Sequence, residues 1–94
     1  MTTLPAHCVD MRYLTETLRT HCNNGTVTSR QQVERFLLDS VERVKSFSVH
    51  FRPQFPRELK VIFSTRDDGG WYDYSLSIML AEGVALPDVP VLPI

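Results

Sequence analysis

The sequence predicts an α+β fold: two N-terminal helices packed on one face of a three-stranded antiparallel β-meander, followed by a Pro-rich extended C-terminal tail. Three observations predict it. Apolar residues recur at helical spacing from Met11 to Val44, and the period then switches to two between Phe47 and Leu80. After Glu82-Gly83, prolines at 87, 90 and 93 exclude a strand interior, because proline cannot donate a ladder hydrogen bond. The 94 residues suffice for one core, so residues 1–83 are expected to form a single domain. Residues 84–94 are expected to be an apolar tail that packs on this domain or on a partner.

The first helix rests on Met11, Leu14, Leu18 and Cys22, whose steps of three, four and four form one stripe. Asp10 is its predicted N-cap, and Asn23-Asn24-Gly25 supplies residues that tolerate the left-handed conformation ending a helix. The second helix begins at a capping box, Ser29 with Gln32 three residues on. Its stripe is Val33, Phe36, Leu37, Val41 and Val44; Arg35/Asp39 and Asp39/Arg43 stand four apart on the polar side.

Phe47, Val49 and Phe51 alternate with Ser48, His50 and Arg52 as a half-buried first strand, ended by Pro53 and Pro56. "ELKVIFST" forms the second, with Leu59, Val61 and Phe63 inward and Ile62 breaking the alternation. "RDDGG" is a hairpin connection whose glycines allow positive backbone angles. "WYDYSLSIML" is the third strand, with Tyr72, Tyr74, Leu76, Ile78 and Leu80 inward.

"HCVDMRYLTETLRTHC" carries two His-Cys dipeptides, the inventory of a structural zinc site. Helical geometry separates them by about 20 Å at 1.5 Å per residue. That excludes convergence on one metal, and it excludes a Cys8–Cys22 disulfide, which needs Cα atoms within about 7 Å. Two unpaired thiols fit a reducing compartment. No metal or cofactor is implied. Asp67, Asp68 and Asp73 cluster at the hairpin without the alternating pattern of a calcium loop, and no phosphate-binding glycine loop is present.

No segment approaches the ~20 apolar residues that span a bilayer, and no basic start leads into an apolar signal run, so a cytoplasmic protein without membrane contact is expected. The apolar fraction of 43% and charged fraction of 22% predict a folded chain rather than a disordered one. Net charge is -1, yet all ten Lys and Arg lie at or before Arg66.

These features predict a small non-enzymatic interaction protein, an inhibitor or adaptor of the size class common in phages and mobile elements, acting on a protein partner. The expected contacts are His50, Arg52, Lys60, Trp71 and Asp73 on the outward sheet face, and Pro87, Pro90 and Pro93, spaced as in a polyproline II helix. Homodimerisation through an edge strand or the tail is a further expectation. The alternative is nucleic-acid binding through the Arg-rich first 66 residues, with bases stacking on Trp71. A third is a small enzyme using His50 or a thiol.

Overall fold

The first helix, α1 (Met11–Asn23), starts where Asp10 caps it: the carboxylate accepts from the Tyr13 backbone N–H at 3.1 Å, satisfying one of the N–H groups that lack an intrahelical partner. These details come from a computed structural model that describes residues 3–93. The helix stops at Asn24, and Gly25 follows with a left-handed φ of 85°. Leu14, Leu18 and Cys22 are buried as one stripe, with Met11 packed partly against the core. Each leucine so placed contributes roughly 1.5–3 kcal/mol of transfer free energy.

The second helix, α2 (Arg30–Ser40), is capped by Ser29, whose hydroxyl accepts from the Gln32 N–H at 3.2 Å. Gln32 reaches back one residue further than the usual capping box, accepting from the N–H and hydroxyl of Thr28 at 2.6 and 3.0 Å. Asp88, from the far end of the chain, accepts from the Arg30 N–H at 2.9 Å. A carboxylate there also meets the positive end of the helix dipole.

The apolar stripe of α2 is shorter in space than in sequence. Val41 is extended and bridges Leu4: the Leu4 N–H donates to the Ser40 carbonyl at 2.8 Å and the Glu42 N–H to the Leu4 carbonyl at 2.9 Å. Arg43 then takes a φ of 56°, which turns the chain into the sheet. Pairing with Leu4 outweighs continuation of the helix, so Val44 opens a strand. Among the described residues neither expected Asp39 pair forms; the spacing-four ion pairs are Arg12–Glu16 and Arg30–Glu34.

Strands β1 (Val44–Arg52), β2 (Phe55–Asp67) and β3 (Gly70–Met79) form one antiparallel sheet in that order. Pro53-Gln54 turns β1 into β2, since Arg52 pairs with Phe55 while Phe51 pairs with Leu59. The intervening residues bulge out of β2, and Pro56 sits in that bulge, where no ladder bond is required of it. β1 thus ends at Arg52, immediately before Pro53, whereas Pro56 lies within β2 instead of closing the first strand. Asp68-Gly69 makes the second turn, with Asp67 accepting from the Gly69 N–H at 2.8 Å. The β2–β3 ladder then runs without a register shift.

Helix α1 packs over β3 and α2 over β1, so both cover the same face. Val49, Phe51, Leu59, Val61, Phe63, Leu76 and Ile78 meet the helices there. The stretch before α1 closes one end of this core. Thr65, fully buried, donates its hydroxyl to the Ala6 carbonyl at 2.6 Å, and Tyr74 donates to the same oxygen at 2.9 Å. Leu80, Leu86 and Val89 close the other end. There the Phe51 N–H donates to the Pro90 carbonyl at 2.9 Å and the Leu92 N–H to the Phe51 carbonyl at 2.8 Å. Ile94, the last residue of the predicted tail, lies outside the described residues. No described helix is long and apolar enough to cross a membrane.

Candidate interaction surface

The face of the sheet turned away from the helices is built from the alternate residues of each strand. Register places Arg66 beside Trp71, Ser64 between Ser46 and Asp73, Ile62 between Ser48 and Ser75, and Lys60 between His50 and Ser77. Glu58 pairs with Met79 at the far end. Small hydroxyl side chains thus surround one isoleucine, and the larger apolar groups stand at the two ends. Ile62 is 40% exposed, Trp71 58% and Met79 55%.

The cations of this face are held in place. Arg66 lies over the Trp71 ring at 5.3 Å from its centroid, a cation–π arrangement worth roughly 0.5–1 kcal/mol when exposed. Lys60 donates to the Ser77 hydroxyl at 3.3 Å. Arg52 lies over Phe55 at 4.8 Å and is ion-paired with Glu58. Its Nε is buried with no hydrogen-bond partner among the described residues.

His50 departs from the expected pattern. It occupies the outward register position but is only 2% exposed, so it is not a contact available to a partner. Ser48 lies at 3.0 Å from its Nδ1. Desolvation first, then the charges of Arg52 and Lys60, hold its pKa below the ordinary 6.5. Ser64 is likewise buried, its hydroxyl in contact with that of Ser46. Arg52 and Lys60 are half-buried, and Asp73, Pro87, Pro90 and Pro93 are exposed. Pro87, Pro90 and Pro93 lie on the tail, away from the Trp71 end of the sheet. Ile62 and Met79 join the exposed group: the sequence signal for Ile62 was its break in the alternation, and for Met79 its place on the polar side of β3.

A second cluster unites residues sixty apart. His7 Nδ1 lies 3.4 Å from an Asp67 carboxylate oxygen, beside a shallow depression of about 420 Å³ lined also by Arg43, Glu42 and Tyr72. Partial burial, then the charge and hydrogen bond of Asp67, raises the Tyr72 hydroxyl above its usual pKa. A Cβ on Gly69 would lie 2.7 Å from the Tyr72 oxygen, so a larger residue there would displace the Tyr72 hydroxyl. A carboxylate can orient an imidazole as a base, but no described Ser, Thr or Cys is hydrogen-bonded to His7. The pair lacks an attached nucleophile. Cys8 is exposed and Cys22 buried, both as free thiols, and burial pushes the Cys22 thiol up to about 11. No three His, Cys, Asp or Glu side chains converge among the described residues.

Comparison with known protein families, characterised proteins and solved structures finds no match to this chain.

Proposed function

We propose that this is a small non-enzymatic protein that acts by binding a protein partner through the open face and free edge of its sheet, as an inhibitor or adaptor in a reducing cytoplasm. The observation that carries this reading is the placement of Trp71 and Met79, both more than half exposed, at the two ends of one regular edge strand. Trp and Met are enriched at interface cores, and the small serine side chains around Ile62 let a partner approach the backbone closely. The contacts assigned are Trp71, Met79, Ile62, Lys60, Asp73 and Arg52. The free thiols support the reducing compartment. Homodimerisation belongs to the same reading, since an unpaired strand edge accepts a strand of any chain, its own included.

Affinity capture from the native host tests the reading. A partner held by the wild-type protein and lost by Trp71→Ser, with the fold intact by circular dichroism, is the expected result. A partner held equally by both proteins places binding elsewhere.

A second reading is favoured by one observation, the Arg66 guanidinium over Trp71 with Lys60 and Arg52 on the same face. Such a platform suits single-stranded nucleic acid, with bases stacking on the ring and phosphates on the cations. Arg52–Glu58, Arg30–Glu34 and Arg12–Glu16 already neutralise three of the ten cations. Affinity that falls steeply with salt would select this reading over the first.

A further inference from the structure

The two outer edges of the sheet are unlike. On β1 the register shifts twice, at Val44/Ser46 and at Phe51/Arg52, and the Pro90–Leu92 segment already bonds to Phe51. On β3 the ladder is regular from Gly70 to Met79, with no proline and only Asp73 charged. No backbone bond reaches its outer side among the described residues. It carries none of the devices that protect an exposed edge apart from that single carboxylate.

The phase of this edge is fixed. The Leu80 N–H points inward to the Arg57 carbonyl at 2.8 Å. Backbone groups of successive residues alternate in direction along an antiparallel strand. Trp71, Asp73, Ser75, Ser77 and Met79 therefore turn their N–H and C=O groups to the free side. These are also the residues whose side chains lie on the open face.

We infer that β3 pairs antiparallel with β3 of a second copy about a two-fold axis at Ser75, giving a continuous six-stranded sheet. This rests on the reading of the β3 edge as the interaction surface and names its partner. Trp71 and Met79 stand four residues on either side of Ser75, so the axis sets each tryptophan opposite the other copy's methionine. Sulfur–aromatic contact is favourable, and the two most exposed apolar groups of the face are covered together. Asp73 falls opposite Ser77 of the second copy, to which that copy's Lys60 is hydrogen-bonded. The one charge on the edge thus meets a cation already aimed at it. All five facing pairs are of the hydrogen-bonded kind, about ten bonds in total.

Other registers do worse. An axis at Asp73 sets two carboxylates face to face, and one at Tyr74 leaves Met79 beyond the end of the ladder. Shifting the register by one residue mismatches the phase of the two edges.

Sedimentation equilibrium of the full chain, with oxidative crosslinking of Ser75→Cys in a Cys8→Ser background, tests the pairing. Expected are a concentration-dependent dimer, a disulfide-linked dimer at Ser75→Cys, at least tenfold weaker association for Asp73→Lys, and recovery in the Asp73→Lys/Lys60→Asp exchange. Asp73 is exposed, and circular dichroism checks that each variant folds. A monomer of 10.8 kDa at all concentrations overturns the inference. So does a dimer unaffected by the charge reversal. A host protein captured through Trp71 by a strictly monomeric chain overturns this pairing while leaving the proposed function standing.

Discussion

The Thr65 hydroxyl donates to the Ala6 carbonyl at 2.6 Å from a position with no solvent exposure, tying the segment before α1 to one end of the central strand. Tyr74 donates to the same oxygen at 2.9 Å. A carbonyl has two lone pairs, so either donor alone keeps it satisfied. Thr65→Val and Tyr74→Phe are each expected to cost about 1 kcal/mol in urea unfolding. The double variant leaves the carbonyl bare and is expected to cost more than the sum, by at least about 0.5 kcal/mol. Strict additivity would show that the two bonds do not share one acceptor.

The thiols differ in access. Cys8 is exposed, whereas Cys22 is buried with its pKa raised to about 11. In native buffer near neutral pH a thiol-specific disulfide reagent is expected to modify one cysteine per chain, and the second only on unfolding. Mass spectrometry of the modified peptide should find Cys8. Rapid modification of Cys22 in the folded protein would contradict the α1 stripe.

His50 sets a pH dependence. Its native pKa is lowered, by desolvation first and then by Arg52 and Lys60. The unfolded chain therefore takes up this proton first as pH falls through the ordinary value of 6.5. Stability from this group is present above that value and declines below it, until the native pKa is passed. His50→Gln is expected to flatten the stability profile between about pH 7 and pH 5. Equal slopes in the two proteins would show that His50 does not titrate differently on folding.

The outer-face residues are expected to be separable from the fold. Trp71→Ser and Met79→Ser each remove an exposed side chain outside the core cluster, so unfolding free energies should change by no more than about 0.5 kcal/mol for Met79→Ser and about 1 kcal/mol for Trp71→Ser, which also loses the cation–π contact with Arg66. Leu18→Ala, at the centre of the α1 stripe, is expected to cost about 2–5 kcal/mol. Comparable losses from both kinds of change would mean that Trp71 or Met79 supports the core.

Local signals made most of the architecture legible. Asp10, Ser29 and Gly25 act where caps and stops of those residue types act, and the alternation of β3 predicts which side is buried, because these features depend on near neighbours alone. What escaped depends on distant pairing. Val41 and Val44 extend the stripe of α2 in sequence, but Leu4 holds Val41 extended and Arg43 turns the chain. The structural part played by Ala6 carries no periodic signal, since its carbonyl rather than its side chain does the bonding. His50 occupies the outward position that alternation predicts and is buried all the same, beneath cross-strand and same-face neighbours that spacing does not reveal. The His7–Asp67 pair was hidden for the same reason, its members standing sixty positions apart.

Trp71 is the chain's only tryptophan, so 5-fluorotryptophan labelling gives one fluorine resonance that reports on the proposed surface alone. In dilute protein its position should differ between H2O and D2O, as for a ring 58% exposed. Raising the protein concentration, or adding the protein captured from the host, is predicted to shift the resonance and remove that solvent effect. A resonance that keeps its position and its solvent effect through both additions, while binding is seen by other means, would contradict the assignment of Trp71 to the interaction surface.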